Sequence, residues 1–351
     1  MKKVDICIIG CGRVANHYYK IIKKYHSKKF FIKAVCDIDL NKAKSYSKNY
    51  KSLFYTNLDL MIKKEKPKIL FVLTPSGSHY QISKYALNRR INVLVEKPAC
   101  MLPKQIIELD KLAKKNNKFF CVAFQNRLNP SIQLLKKNIS RLGKIVSASI
   151  VLRWCRYQNY YNDDWHGSWL NDGGVINQQA IHHIDVMNYI LGTPSHVISY
   201  NTKRLNKLEA EDTSFSIIKF PKKFGCTLEL TTAARPRDYE ASLNITGEKG
   251  RISIGGVAMN TVDKWEFIKP KKEDKDFRLY SQKVENGYGF SHSKILEGVY
   301  KKIINKKNNS FIVNAIDSLQ TCNAVHAMYK SSEENKWIKV SSKSISKLLG
   351  K

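Results

Sequence analysis

The sequence has eight cysteines, Cys7, Cys11, Cys36, Cys100, Cys121, Cys155, Cys226 and Cys322, and no Cys-x-x-Cys pair among them. That absence excludes a paired-thiolate zinc site and a redox dithiol. Most of these residues lie in apolar, strand-like runs, so free buried thiols in a reducing compartment are the simplest account. The nine histidines add no metal-ligand spacing, and no nucleophile-and-base arrangement of the hydrolase kind is present, so no metal is expected. Long hydrophobic runs are missing too. Near the N-terminus Asp5, Gly10 and Gly12 cut the apolar run far short of a signal sequence or a membrane span. The expectation is a cytoplasmic protein with no membrane partner. There is no internal repeat and no low-complexity linker.

Acidic residues are scarce, 29 Asp and Glu against 61 Lys and Arg, for a formal net charge of +32. Such an excess raises the question of nucleic acid as a partner. Its distribution points away from one. The lysines come as scattered pairs (Lys23-Lys24, Lys63-Lys64, Lys136-Lys137, Lys222-Lys223, Lys301-Lys302, Lys306-Lys307) at polar helix positions or beside turns, and no basic arm stands apart. A solvated lysine-rich surface that still draws in a small anionic substrate is the better account.

Apolar residues make up 43% of the 351 and aromatics 11%, enough to build more than one core. Through roughly the first 125 residues, short β-branched runs alternate with amphipathic stretches. Strands are expected over Val4–Ile9, Phe30–Cys36, 69–73, Asn92–Val95 and 119–124, and helices over 14–25, 41–49, 78–88 and Pro103–Lys115. This alternation implies a parallel, doubly wound α/β sheet whose ligands lie beyond the carboxyl ends of its strands. After a helix over 129–138 the pattern becomes consecutive strands over 144–154, His196–Thr202, 213–220, 226–232, 240–246, 251–254 and 264–268. Helices are expected at 178–191, 293–305 and 315–331. The second half therefore reads as an α+β domain on a large, mostly antiparallel sheet, one face on helices and the other left for a substrate or a second subunit.

The first strand runs into Gly10-Cys11-Gly12-Arg13-Val14-Ala15 and a helix follows at once. In that context the glycines carry a mechanism. Gly10 allows the tight turn, Gly12 lets the backbone approach a pyrophosphate, and the helix start at Arg13 and Val14 supplies amide donors and a positive dipole end. Asp37 ends the second strand, where a carboxylate accepts from the adenine ribose hydroxyls and repels a 2′-phosphate, so NAD is the expected cofactor. Asp39 is the better candidate for capping the next helix. The third strand ends in Thr74-Pro75 with His79 close behind, and the fourth in Glu96-Lys97-Pro98. Lys97 leaves an apolar run at the rim of the interior, a setting that tunes a lysine for proton exchange, and Lys97-Pro98 is a place for a cis bond. The boundaries that follow are residues 1–125 for a NAD-binding Rossmann domain and 126–351 for a substrate-binding and oligomerisation domain.

With Ile181-His182-His183-Ile184-Asp185 on a later helix, these motifs resemble the glucose-fructose oxidoreductase / inositol dehydrogenase / MocA family over nearly the full length. The resemblance implies that Lys97 and His182 face the substrate beside the nicotinamide. It also implies cofactor contacts from Gly10, Gly12, Arg13, Val14, Asp37, Thr74, Pro75, His79, Glu96, Lys97 and Asn126. Longer segments resemble one subgroup, the UDP-N-acetyl-2-amino-2-deoxy-D-glucuronate 3-dehydrogenases of bacterial surface-polysaccharide (O-antigen) synthesis, which oxidise a sugar C3 hydroxyl with NAD as tetramers. These are Gln125-Asn126-Arg127, Arg153-Trp154-Cys155-Arg156 with Tyr160-Tyr161, residues 165–169 with Asp172-Gly173-Gly174, and residues 231–242. That likeness implies a nucleotide-sugar substrate held by Arg127, Arg153, Arg156, Tyr160, Trp165, Gln178, His182 and Arg235.

Two positions depart from the pattern. Gln178 stands where many members of the wider family have a carboxylate, and an amide orients but does not act as a base. The subgroup's third glycine is also missing after Gly173-Gly174. The helix places His183 about 100° from His182, which reads as structural, and Asp185 one turn on, where it orients His182 or faces solvent. Which of Lys97 and His182 is the base stays open. A dehydrogenase of a free polyol or another nucleotide sugar is the rival enzyme, and a non-catalytic cofactor-binding sensor or polyanion-binding protein the rival of another class.

Overall fold

The computed structural model describes residues 3–284 and 287–351. They form two compact units, one made of the chain up to Ala123 with His292–Ser318, the other of Phe124–Ser291 with Leu319–Lys351. Periodicity suggested one boundary near residue 125. The fold instead returns a late segment to the first unit, because helix His292–Ile304 has partners there. Tyr300 meets Phe30 edge-on at 5.9 Å, His292 meets Tyr18 at 5.2 Å, and Glu297 pairs with Lys29. Past the helix, the amide of Val122 donates to the carbonyl of Val313 at 3.0 Å. Local periodicity marks a helix, but it is silent on which layer the helix covers.

The first unit holds six parallel strands, β1 (Val4–Ile9), β2 (Phe30–Cys36), β3 (Leu53–Tyr55), β4 (Ile69–Val72), β5 (Asn92–Val95) and β6 (Phe120–Val122), in the order β3-β2-β1-β4-β5-β6. This is the α/β doubly wound Rossmann arrangement, and its order reverses between β1 and β4. All four residues of β4 are buried, as expected of a central strand covered on both faces. Strand β3 and helix Leu58–Glu65 were not anticipated. Leu53 and Phe54 are exposed, so the three-residue edge strand shows no alternation to read. The first helix ends at Ile21 and widens into a π-turn over Ile22–His26.

The second unit is built on eight strands, β7 (Ile145–Arg153), β8 (His196–Thr202), β9 (Thr213–Lys219), β10 (Gly225–Thr231), β11 (Glu240–Gly247), β12 (Gly250–Gly255), β13 (Thr261–Phe267) and β14 (Ile338–Lys339). Their order is β13-β12-β11-β7-β10-β9-β8-β14, antiparallel except where β10 runs parallel to β7. Alternation sorts the side chains. Ala148, Ile150 and Leu152 of β7 meet Cys226, Leu228 and Leu230 of β10 on the buried face. On the other face Tyr200, Phe215, Glu229 and Val151 lie side by side in register, with Tyr200 and Phe215 exposed. Among the described residues no helix is long and apolar enough to cross a membrane.

Candidate functional site

In the first unit the turn after β1 admits only glycine at its first position. Gly10 has φ +92°, and a Cβ there would stand 2.6 Å from the Leu73 carbonyl oxygen. At Gly12, which opens helix Arg13–Ile21 with no side-chain cap, nothing lies within 4 Å of where a Cβ would stand. A helix start with no side-chain cap, entered through a glycine whose Cβ position is open, is the form a pyrophosphate fits. Asp37 follows β2, with Oδ2 accepting from the Cys11 amide at 2.7 Å and Oδ1 from the Asp39 amide at 2.9 Å. These bonds aim the carboxylate beside the glycine turn. The capping of helix Leu40–Tyr50 falls to Asp39, which accepts from the amides of Asn41 and Lys42.

Thr74 and Pro75 follow β4, and Glu96-Lys97-Pro98 follows β5 with a cis bond at Lys97-Pro98. His79 ties the two turns together, its Nδ1 2.7 Å from the Pro98 carbonyl oxygen and its Nε2 2.8 Å from that of Thr74. Burial lowers its pKa, against the pull of those carbonyls. Both ring nitrogens thus face protein backbone. Glu96, proposed from sequence as a cofactor contact, is a buried anchor that accepts from the Tyr18 hydroxyl at 3.0 Å and the Lys97 amide at 3.2 Å, with His292 at 3.4 Å. Burial opposes its charge, but the hydrogen bond and charge of His292 outweigh this and hold its carboxyl below the usual range. Lys97 itself is half-buried.

In the second unit His182 sits in the first turn of helix Ile181–Leu191, 6% exposed, with Gln125 Nε2 3.4 Å from its Nε2 and the Phe124 ring edge-on at 6.0 Å. Gln125 Oε1 has no hydrogen-bond partner among the described residues. A buried amide oxygen left open beside an imidazole is a ready acceptor for a ligand hydroxyl. His183 behaves differently: it is fully buried, edge-on to Trp154 at 5.9 Å, and burial pushes its pKa down to about 4. It is a neutral packing residue.

The turn that holds Gln125 is braced from beneath. Arg127 donates twice to Asp185, Nε to Oδ2 at 2.6 Å and Nη2 to Oδ1 at 2.8 Å, and Thr321 donates to Oδ1 at 3.0 Å. The guanidinium expected at substrate is committed to a buried bidentate pair that locks this turn to the His182 helix. Asn126 is buried in the same turn. Gln178 donates to Asp172, a buried carboxylate that also accepts from the Gly167 amide at 2.8 Å. In the run Asp172-Gly173-Gly174 the sequence motif points to the glycines, and the fold adds the aspartate. Gly174 is obligatory because a Cβ would stand 2.1 Å from the Glu211 carbonyl oxygen.

The arginines divide. Arg153 lies on the outward sheet face with Glu229 at 2.7 Å and Glu240 at 3.0 Å. Arg156 pairs with Asp238 at 2.9 Å and lies over the rings of Trp154 and Tyr160. Tyr160 packs on His166 at 4.1 Å, which stacks on Trp165 at 3.7 Å, so three predicted residues form one aromatic and guanidinium group around a histidine that the sequence reading passed over. Arg235 is exposed and stands over Tyr157, 4.4 Å from the ring centre. Among the described residues no group of three or more His, Cys, Asp or Glu is placed to hold a metal ion.

The description "Oxidoreductase family, NAD-binding Rossmann fold" matches residues 4–124, and "Oxidoreductase family, C-terminal alpha/beta domain" matches residues 136–340, both of the GFO/IDH/MocA group. The chain belongs to this family. It is an NAD-dependent oxidoreductase. Among its relatives, the D-glucoside 3-dehydrogenase of Escherichia coli K12 is 29% identical over 273 residues, covering 71% of this chain and 76% of that protein. Two solved structures resemble this oxidoreductase along 97% of its chain. The WlbA dehydrogenase of Chromobacterium violaceum, in complex with NADH and UDP-GlcNAcA, is 28% identical with a TM-score of 0.91 over 97% of its length. The WlbA dehydrogenase of Bordetella pertussis, with the same two molecules, is 26% identical with a TM-score of 0.92 over 98%.

Proposed function

We propose that this enzyme oxidises a secondary hydroxyl, at C3, of a UDP-linked N-acetylglucosaminuronate, passing a hydride to NAD. The observation that carries the reading is the group Arg156, Tyr160, His166 and Trp165. Stacked rings offer a platform to a base or sugar, and a guanidinium among them suits a phosphate or carboxylate. The likeness to the two WlbA structures, each holding NADH and UDP-GlcNAcA, supports it. In the same reading the enzyme works in the cytoplasm as a homotetramer, in bacterial surface-polysaccharide synthesis, with small molecules rather than nucleic acid or membrane as partners.

Gly10, Gly12 and Asp37 fit the dinucleotide, whose bound nicotinamide supplies the hydride acceptor. The chain's own task is the hydroxyl proton. Lys97 and His182 are proposed to share it, one taking the proton and the other donating a hydrogen bond to the same oxygen. Gln125 and Gln178 orient the sugar, and Asp172 holds the Gln178 amide in place. Thr74, Pro75, Arg13, Val14 and Asn126 are assigned to the cofactor, Arg153 and Arg235 to the substrate side, and Arg127, through its pair with Asp185, to positioning the Gln125 turn against the His182 helix.

A second reading is favoured by one observation, the relative named D-glucoside 3-dehydrogenase, which points to C3 of a glucoside. Incubation with NAD and a panel of UDP-linked uronates, UDP-linked neutral sugars and free glucosides decides between them. Reduced cofactor with UDP-N-acetylglucosaminuronate, and thermal stabilisation by UDP alone, support the proposal. Turnover of free glucosides with no response to UDP sinks it.

A further inference from the structure

A cleft of about 500 Å³ in the first unit is lined by six cationic side chains, Lys63, Lys66, Lys68, Arg89, Arg90 and Lys118, over a floor of Ile62, Pro67 and Ile91. It lies at the amino ends of the parallel strands. Pro67 and Lys68 lead into β4, Ile91 leads into β5, and Lys118 lies two residues before β6. Gly10, Asp37, Thr74 and Glu96 all follow the carboxyl ends. A four-residue strand spans about 13 Å, more than the Debye length of about 8 Å at physiological salt, so the field of this cleft does not serve the dinucleotide.

The fold supplies less negative charge here than the cleft has positive. Asp59 pairs with Lys63 at 2.7 Å and with Arg89 at 3.1 Å. Among the described residues no ion pair joins Lys66, Lys68, Arg90 or Lys118 to a carboxylate. Helices Leu58–Glu65 and His79–Asn88 end at the cleft, and each C-terminus offers about half a negative charge. Asp59 and the two helix ends thus offset about two of the six, and about four remain. The remaining cations repel one another. Burial, then Lys306, Lys68 and Arg90 in turn, lower the pKa of Lys118. A helix surface that merely needed solubility would spread these side chains outward. Here the end of helix Leu58–Glu65 and the turns before three strands bring them around one concavity, of a size that takes a small molecule.

We propose that this cleft binds a small oligophosphate, a chain of about three phosphates whose charge matches the uncompensated cations. The site is separate from the oxidoreductase reaction and does not depend on which sugar is oxidised. Inorganic tripolyphosphate is the probe, titrated calorimetrically into the NADH-loaded enzyme in magnesium-free buffer at constant ionic strength. Saturable binding of one tripolyphosphate per chain is expected. In Lys68→Glu/Lys118→Glu the Kd rises about a hundredfold, about tenfold per reversed charge. The neutral pair Lys68→Gln/Lys118→Gln loses about tenfold in all, and serves should charge reversal impair folding. Reversing two exposed lysines of the other unit, Lys222→Glu/Lys343→Glu, alters net charge equally and shifts Kd less than about twofold. Equal losses in the cleft and control variants would reduce the binding to the general field and overturn the proposal. So would the absence of saturable binding, or binding of an RNA homopolymer without binding of tripolyphosphate.

Discussion

Glu211 is buried between Gly174 and Tyr329, and burial pushes its carboxyl up from 4.5 to about 7. Its Oε1 accepts from the Ile176 amide at 2.9 Å and the Tyr329 hydroxyl at 3.0 Å, while Oε2 has no hydrogen-bond partner among the described residues. Below pH 4.5 the folded and unfolded states both hold the proton, and the group contributes no penalty. As pH rises, the unfolded chain releases its proton first, so stability falls until about pH 7 and then levels off. At about 1.4 kcal/mol per pH unit the accumulated loss is about 3 kcal/mol. Glu211→Gln keeps the acceptor at Oε1 and puts an uncharged amide where Oε2 stood. Urea denaturation at pH 5 and pH 8 should therefore find the variant gaining on the parent by about 2 to 3 kcal/mol between the two pH values. A variant destabilised equally at both would refute the buried, proton-binding carboxyl.

Three further outcomes are expected. Lys97→Ala and His182→Ala should retain NADH binding by fluorescence titration and lose about two orders of magnitude in turnover, the scale of general acid-base catalysis; unchanged turnover removes that residue from the mechanism. Asp185→Ala removes the buried carboxylate from the Arg127 guanidinium and should cost about 3–5 kcal/mol, most of it recovered in Arg127→Met/Asp185→Leu. Equal losses in urea denaturation for the single and double variants would contradict this. Asp37→Ser removes the carboxylate beside the glycine turn and should narrow the preference for NAD over NADP by about tenfold, read as the ratio of the two Kd values.

Much of the parallel sheet was legible because buried strands are short and β-branched. The ends of β1, β2 and β5 fall where their apolar runs stop. Two of the four edge strands, β6 and β13, were legible, while exposed Leu53–Tyr55 and two-residue Ile338–Lys339 escaped because they are too short to show alternation. Asp39 was legible as a cap and His183 as a packing residue from position alone. His79, Glu96 and Arg127 were legible as important and not as to role. The likeness implies each at a ligand, whereas in the fold His79 and Glu96 hold groups of their own unit and Arg127 gives Nε and Nη2 to Asp185.

The chain's order of residues was enough to establish a glycine turn between strand and helix, an acid at the end of β2, and the change from alternating to consecutive strands. Those features depend on neighbours within a few residues, where φ preference and side-chain period act. Partnership was settled elsewhere. Asp185 meets Arg127 across 58 positions, Glu211 meets Tyr329 across 118, and His292 returns to Tyr18 and Glu96 from the far end of the chain. Which buried charge finds which counter-charge depends on how layers stack, and local pattern carries no term for that.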